Sequence, residues 1–297
     1  MQGMSADRQA LFAQLQARRA RAAAGAGPDH LVIPLRQGPG PDRLVLLHPS
    51  GGALFCYAPL VRALRPDIDV IGFAADPADR GLPLPRRIEV VAGRTLAALA
   101  RVTDPARCVL AGWSHGGVLA FEMARQHAAA TGGLPGVVLL DCTYFGDVDL
   151  DDDATLRRNF AYDFARLAGR DSPQVRAALQ AVDPASASLR DLLGTAQVTV
   201  ELTDAELADK YETFQSCSRA LALFRPPASY AGRVRLIAAE QVDLVVARWR
   251  KFATGPFTSV RVPGDHYSLF VPATLPTLIA EIHAAVDEQA AAVGGSS

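Results

Sequence analysis

The stretch that most constrains this chain is Gly112-Trp113-Ser114-His115-Gly116-Gly117, because of what flanks it. The residues before it, 108–111, form a short apolar run without alternation, which is typical of a buried parallel strand. The residues after it, 118–125, are good helix formers. A G-x-S-x-G sequence between a strand and a helix predicts a tight turn that presents the serine as an exposed nucleophile. The alternative is a structural turn that contains this pattern by chance.

Apolar runs of the same kind alternate with helical patterns along most of the chain. We predict strands at 31–35, 44–47, 70–73, 108–111, 136–140, 234–238 and 259–262. Helices are predicted near 55–65, 88–102, 118–131, 243–252 and 272–289. Pro34 restricts the first strand to a sheet edge or a strand end. The order of the elements predicts a doubly wound, mostly parallel sheet flanked by helices, and the G-x-S-x-G turn within it predicts the α/β-hydrolase fold.

One segment departs from this alternation. Residues 147–225 are rich in acidic residues near their start and carry helical patterns at 153–168, 173–182 and 204–223, with no convincing strand. We expect a helical insertion between two core strands that forms a lid over the site. The alternative is a packing excursion without a role in function.

The ends of the chain are predicted to lie outside the folded domain. We expect an N-terminal helix and linker at 1–30, one domain at 31–290 and a disordered tail at 291–297. The N-terminal helix is interpreted as a solvated arm, the alternative being an attachment to a neighbouring protein. Its first residues lack the apolar core of a secretory signal, and no apolar run is long enough to span a bilayer, so the expected compartment is the cytoplasm.

Charge and cysteine usage narrow the class of protein. The formal net charge of −1 favours neither nucleic acid nor an anionic membrane as a partner. Cys56, Cys108, Cys142 and Cys217 are scattered without a C-x-x-C pair, which is typical of reduced cytosolic thiols. No cluster of histidine and acidic residues has metal-ligand spacing, and no G-x-G-x-x-G follows a strand. We therefore expect neither a metal ion nor a bound cofactor.

Three residues of complementary chemistry stand at the ends of predicted strands, in the order Ser114, Asp141, His266. In a parallel sheet these ends meet at one edge, and this chain order is that of α/β-hydrolases. A serine needs a base within hydrogen-bond reach to become a nucleophile, and a histidine can supply it near neutral pH. The aspartate would hold the imidazole in one tautomer and stabilise its cation.

A second aspartate competes for the role of the acid. Asp243 follows the strand at 234–238 after a short loop, where many other α/β-hydrolases keep their acid. We favour Asp141, because it abuts its strand directly and its position is then fixed by the sheet. Asp243 opens a predicted helix, where a carboxylate can cap exposed amides.

The donors of an oxyanion hole are predicted on two loops. One is the backbone N–H of His115, and the other comes from the glycine-rich loop after an early strand, at Gly52 or Ala53. His48, before that loop, is expected to be structural. The side chains of His115 and Tyr267 each adjoin a catalytic candidate and are therefore candidates for contact with the substrate.

These residues belong to a wider set of motifs that resembles the thioesterase domains of nonribosomal peptide synthetases and polyketide synthases. The resemblance runs over about residues 31–285 and rests on Ile33-Pro34-Leu35-Arg36, Leu47-His48-Pro49-Ser50-Gly51-Gly52, Gly112-Trp113-Ser114-His115-Gly116-Gly117, Leu140-Asp141 and Gly264-Asp265-His266-Tyr267-Ser268-Leu269. It places the acid at Asp141. The Gly-Trp-Ser form and the Ile-Pro-Leu entry resemble the chain-terminating type more than the stand-alone editing type.

The resemblance implies a reaction and a partner. Ser114 would accept an acyl or peptidyl chain from the phosphopantetheine arm of a carrier protein, and water or an internal amine or hydroxyl would then release it. No carrier-protein serine motif precedes residue 31, so we expect either an excised domain or a discrete protein. Two other classes remain open, a soluble carboxylesterase or lipase with the same triad and a catalytically inactive binding module on the same fold. The sequence leaves the acyl chain and the mode of release open.

Overall fold

A computed structural model of the chain describes residues 31–82, 87–142, 152–170, 172–239 and 242–294. The predicted N-terminal helix and linker therefore lie outside the described residues, as does the acidic stretch at 147–151. None of the described helices combines the length and the apolar character needed to cross a lipid bilayer.

The described residues form a sheet of seven strands. These are β1 (Ile33–Arg36), β2 (Arg43–Leu47), β3 (Asp69–Phe73), β4 (Cys108–Trp113), β5 (Gly136–Leu140), β6 (Val234–Ala238) and β7 (Phe257–Arg261). Their order across the sheet is β1-β3-β2-β4-β5-β6-β7. The edge strand β1, which contains Pro34, is antiparallel to β3, and the other neighbours are parallel. The predicted mostly parallel sheet is confirmed.

The helices connect these strands. They are α1 (Ala58–Ala63), α2 (Arg87–Leu99), α3 (His115–Thr131), α4 (Asp153–Leu167), α5 (Pro173–Ala181), α6 (Leu189–Thr195), α7 (Asp204–Leu223), α8 (Val242–Trp249) and α9 (Leu275–Gly294). Short 3₁₀ turns at Phe55–Tyr57 and Pro105–Arg107 precede α1 and β4. Helix α9 continues to Gly294 and so includes residues predicted to belong to the tail.

The sheet divides the core of the domain into two layers. Side chains alternate along β2, so that Val45 and Leu47 pack on the face of α2 and α3, while Leu44 and Leu46 pack on the face of α1 and α9. Strands β4 and β5 are buried over their whole length. Because both faces of these strands are covered, they carry continuous apolar runs, which is why the sequence predicts them well.

Helices α4 to α7 lie between β5 and β6, as the sequence predicts for a helical insertion. They enclose a hydrophobic cluster of their own, which includes the buried side chains of Leu156, Phe160 and Leu193. Each of the four helices begins with a side-chain N-cap, from Asp152, Ser172, Ser188 and Thr203. Helix α6 was not predicted, although the reciprocal hydrogen bonds of Ser188 and Asp191 mark its start.

The topology fixes where a site can form. Strand β2 is bordered by β3 on one side and β4 on the other, so the chain reverses its winding direction between β2 and β4. Ligands of open parallel sheets bind at such a switch point, outside the carboxyl ends of the strands. The loop after β2 and the turn after β4 meet there.

Candidate active site

Ser114 forms the turn between β4 and α3. Its backbone has φ 57° and ψ −122°, a strained conformation for a residue other than glycine. Its N–H donates to the Leu140 carbonyl oxygen at 3.0 Å, which ties the turn to the end of β5. Although Ser114 is the N-cap of α3, its side chain makes no capping hydrogen bond, so its hydroxyl is left for chemistry.

Glycine is required at both ends of this turn. A Cβ at Gly112 would overlap the backbone of Gly116, and a Cβ at Gly116 would overlap the carbonyl group of Leu47 at the end of β2. The turn therefore packs closely against the neighbouring strand and leaves no room for a side chain at either position.

Asp141 and His266 are joined by a hydrogen bond. His266 Nδ1 lies 2.6 Å from Asp141 Oδ2, and the Ala239 N–H donates to Asp141 Oδ1 at 2.8 Å. The Asp141 backbone N–H donates to the Ile237 carbonyl oxygen at 2.7 Å, which continues the ladder between β5 and β6. With Nδ1 engaged by the carboxylate, Nε2 is the nitrogen that His266 has for a substrate or a nucleophile.

Aromatic rings hold the imidazole in place. The His266 ring lies 4.9 Å from the Trp113 ring and 5.1 Å from the Tyr267 ring, measured between centroids. Asp265 accepts from the backbone N–H groups of Tyr267 and Ser268, which closes the loop that carries the histidine. The ring can turn little, so the nitrogen that faces Asp141 is fixed.

The competing aspartate, Asp243, is not the hydrogen-bond partner of His266. Asp243 is exposed in the first turn of α8, the position predicted for a helix-capping carboxylate. The structure pairs His266 with Asp141 instead.

Ser114 and His266 border the same cavity, which has a volume of about 380 Å³. The edge of the sheet contributes Pro49, Ser50, Trp113 and Tyr267, and α4, α5 and α7 form the opposite wall. Within the described part of the chain Ser114 Oγ has no hydrogen-bond partner, so its bond to His266 is not formed in this structure. Such bonds are often long without substrate and tighten in the complex.

The polar groups opposite Ser114 come from the helical insertion and were not predicted. Tyr267 Oη donates to Asp163 Oδ1 at 2.6 Å, and the Arg166 guanidinium lies 4.6 Å from the centre of the Tyr267 ring. Burial raises the pKa of Asp163. Both residues of α4 line the cavity, as does Arg176 of α5. Which face of α4 meets the site depends on tertiary packing, and the sequence carries no signal for it.

The expected substrate contact of the His115 side chain is wrong. Its ring is buried and stacks on the His48 ring at a centroid distance of 5.2 Å, next to a second, smaller cavity. As the first residue of α3, His115 directs its side chain toward the loop after β2 and toward α7, on the far side of the turn from the large cavity. Tyr267, the other predicted contact, does line the large cavity.

The predicted oxyanion donor at Gly52 is also wrong. The Gly52 N–H already donates to the Pro49 carbonyl oxygen at 2.8 Å, within the turn after β2. Its carbonyl oxygen accepts from the Ala75 N–H at 2.9 Å, so this part of the loop faces the end of β3. Of the loop residues that the structure describes, Pro49 and Ser50 border the large cavity, and Gly52 and Ala53 do not.

Among the residues that the structure describes, one group of side chains has the chemistry to hold a metal ion, which the sequence spacing did not predict. The ligand atoms of His48, His115 and Cys217 lie within 4.8 Å of one another, and all three residues are buried. This group adjoins the smaller cavity and not the one that contains Ser114.

Comparison with known proteins gives matches in both sequence and structure. Residues 42–286 match the family described as "Thioesterase domain". Over 104 residues the chain is 37% identical to the thioesterase AMT4 of Alternaria alternata, a match that covers 34% of this chain and 39% of that protein. The chain thus spans about two fifths of the length of this relative.

Two solved structures share the fold. The four-domain nonribosomal peptide synthetase holo-AB3403, bound to AMP and glycine, matches with a TM-score of 0.70 and 25% identity, over 85% of this chain and 20% of that chain. The Vlm2 thioesterase domain matches with a TM-score of 0.59 and 22% identity, over 84% of this chain and 95% of that chain. These matches agree with the fold class predicted from the sequence.

Proposed function

The chain belongs to the thioesterase domain family, and on this premise we propose that it releases an acyl or peptidyl chain from the phosphopantetheine arm of a carrier protein. Release proceeds through an ester on Ser114 and ends in hydrolysis or cyclisation. The setting is the biosynthesis of a natural product. The carrier protein is the partner, and its prosthetic arm delivers the substrate, so none of the steps below needs a cofactor bound by this chain.

The observation that carries the proposal is the hydrogen bond from His266 Nδ1 to Asp141. It leaves Nε2 for the nucleophile, on a ring that borders the same cavity as Ser114. The carboxylate stabilises the imidazolium that forms when the base takes a proton. A buried aspartate, an oriented imidazole and a serine on a strained turn are what acyl transfer requires.

Acylation follows from this arrangement. Ser114 Oγ attacks the thioester carbonyl carbon while His266 Nε2 takes the hydroxyl proton. The tetrahedral oxyanion collapses, the carbon–sulfur bond breaks, and His266 returns the proton to the pantetheine sulfur. The thiol leaves on its carrier, and the chain remains as an ester of Ser114.

Release uses His266 again, now to take a proton from the attacking group and to return it to Ser114. Water, or an amine or hydroxyl of the bound chain, loses its proton to His266 as it attacks the ester carbonyl. Collapse of the second oxyanion returns the proton to Ser114. The cavity wall decides between hydrolysis and cyclisation, because it determines whether the free end of the chain can fold back to the ester.

Two backbone donors stabilise each oxyanion. One is the N–H of His115 in the first turn of α3, where helix amides have no intrahelical acceptor. The second is the N–H of Ser50, which borders the cavity beside Ser114. Removal of one such donor costs on the order of 10²–10³ in turnover.

Helices α4 to α7 act as a lid and as the wall of the substrate chamber. The chamber presents Asp163, Arg166 and Arg176 as well as apolar side chains of α7. Most of the lining surface is nevertheless apolar. A chain with an apolar body and a few polar groups, such as a peptidyl or functionalised acyl chain, is therefore the expected substrate class.

The proposal is tested with a panel of acyl and peptidyl groups, each offered as a carrier-bound thioester, a pantetheine thioester and a simple oxoester. Mass spectrometry of the products distinguishes hydrolysis from cyclisation, since the cyclic product is lighter than the hydrolysed one by the mass of one water molecule. We expect the thioesters to be turned over and the mass of the acyl group to appear on the peptide that contains Ser114. Faster turnover of oxoesters would assign the protein to the esterases. Absence of labelling by a fluorophosphonate would assign it to inactive binding modules.

A further inference from the structure

Three side chains from separate parts of the fold converge beside the turn that carries Ser114. His48 lies in the loop after β2, His115 opens α3, and Cys217 lies on α7 of the helical insertion. Their ligand atoms lie within 4.8 Å of one another. They are 4%, 4% and 8% exposed, so water has little access to them.

Each histidine has a ring nitrogen that is available to bind a metal ion. His115 Nδ1 is buried without a hydrogen-bond partner, which is unfavourable for a polar atom unless a ligand occupies the position. His48 Nδ1 lies 2.9 Å from the Pro49 carbonyl oxygen and donates to it, so Nε2 carries the lone pair. A backbone carbonyl that orients a histidine through its other nitrogen is the usual support of a ligating imidazole.

The surroundings fit a soft cation. The three ligands border a cavity of about 20 Å³, which has room for about one water molecule in a fourth coordination position. Two imidazole nitrogens and a cysteine sulfur suit Zn²⁺ and related ions, not Mg²⁺ or Ca²⁺.

We propose that His48, His115 and Cys217 bind one divalent transition-metal ion of the zinc class. The thiol of Cys217 loses its proton to solvent as the metal–sulfur bond forms, and both histidines bind as neutral ligands. The ion then links α7 to the loop after β2 and to the first residue of α3. It acts as a clamp between the helical insertion and the turn that carries Ser114.

The clamp has a mechanical consequence. Ser218, Leu221 and Ala222 on α7 line the large cavity, next to Cys217 in the sequence. An ion that binds only the folded, closed arrangement stabilises it by mass action. Metal binding is therefore expected to slow amide exchange in α7 and to raise the temperature of unfolding.

The test uses the full chain without a histidine tag, treated with a chelator and then titrated with Zn²⁺ or Co²⁺ against a competing indicator. We expect one ion per chain and, with Co²⁺, the charge-transfer absorption of a cobalt–thiolate bond. C217S should lose that absorption and bind Zn²⁺ more weakly by on the order of a hundredfold. C56S and C108S, which alter buried cysteines outside the group, should bind as the parent protein does.

The cobalt spectrum decides the proposal even if a variant fails to fold, because it is measured on the unaltered chain. Cobalt binding without a thiolate band, or no binding above background, overturns the site. Equal affinity of C217S and the parent protein overturns it as well. Exchange in α7 that is unchanged by bound zinc would overturn the clamp.

Discussion

Two regions of the molecule are held by different kinds of contact. One is the edge of the sheet at the carboxyl ends of its parallel strands (the sheet edge), and the other is the helical insertion. At the sheet edge each candidate catalytic group is held by backbone hydrogen bonds or rings of the core, as when the N–H groups of Ser114 and Asp141 extend the strand ladders. Helices α4 to α6 pack around their own apolar cluster. The insertion joins the main core through the end of α7, where Ala220 and Phe224 are buried with residues of the sheet.

This difference predicts that the sheet edge determines the rate of the reaction and that the insertion determines which substrate is bound. Because the parallel ladder fixes the positions of Ser114 and Asp141, the geometry of these candidate catalytic groups depends little on the sequence of the insertion. The opposite wall of the cavity can change its polar groups without disturbing them. We therefore expect substitutions at the sheet edge to act on the rate of chemistry and substitutions in the insertion to act on substrate choice and access.

The largest effect is expected from S114A. Without the nucleophile the acyl-enzyme cannot form, and turnover should fall by on the order of 10⁴-fold or more while the fold is retained. Labelling by a fluorophosphonate, followed by mass spectrometry, measures this directly. S218A, which removes a different serine of the same cavity, should still be labelled. If S114A is labelled as strongly as the parent protein, another serine carries the chemistry.

The second effect compares the two aspartates. D141N should leave the fold intact and lower turnover by on the order of 10⁴, because an amide favours the wrong tautomer of His266. Asparagine also tolerates the left-handed backbone at this position, where φ is 47°. D243N, at an exposed helix start, should cost only a modest loss of stability. Turnover that falls in D243N and not in D141N would place the acid after β6.

The sheet edge was largely predictable from the sequence. Continuous apolar runs mark strands that are buried on both faces, and the glycines around Ser114 mark a turn that leaves no room for side chains. Asp141 directly follows such a run, so its place at the edge depends on local sequence alone. The position of each of these residues can therefore be predicted from the few residues that flank it.

Features that depend on the packing of distant segments were not predictable. From the sequence, the side chain after Ser114 could point toward the large cavity or away from it, and the His115 ring packs on His48 instead. Gly52 was expected to support the oxyanion, and its N–H is used inside its own turn. Asp163 and Cys217 face the site region only because of how α4 and α7 pack. Each depends on contacts between residues far apart in sequence.

A third prediction compares the two regions by hydrogen exchange. The elements that move to admit a substrate belong to the less stable part of a fold. Amides of α4, α5 and α6 should exchange faster than those of β2 and β4 by on the order of a hundredfold. Helix α3 is the matched control, because it is helical and lies in the main core. Equal protection in α3 and α4 would contradict a mobile lid.

The smallest effect is expected at the contact between the two regions. Y267F removes the hydroxyl that donates to Asp163 but keeps the ring that packs on His266 and Trp113. The half-buried Asp163 carboxylate then lacks this donor, and the hydrogen bond between α4 and the histidine loop is lost. We expect a twofold to tenfold change in turnover and a loss of about 1–2 kcal/mol of stability near neutral pH. Y162F is the control, since its hydroxyl bonds within the insertion, to the Arg176 carbonyl oxygen.

The pH dependence of that loss identifies its cause. Burial raises the pKa of Asp163 in the folded state, while the hydrogen bond from Tyr267 lowers it. A raised folded pKa means that the native state holds the proton more tightly, so stability falls as the pH rises through that pKa. Removal of the hydroxyl raises the pKa further, because the carboxylate loses its donor. The stability difference between Y267F and the parent protein should therefore be largest above the folded pKa of Asp163 and shrink as the carboxyl becomes protonated. D163N combined with Y267F removes the charge and should abolish this dependence, whereas a pH-independent difference would mean that the hydroxyl contributes through packing alone.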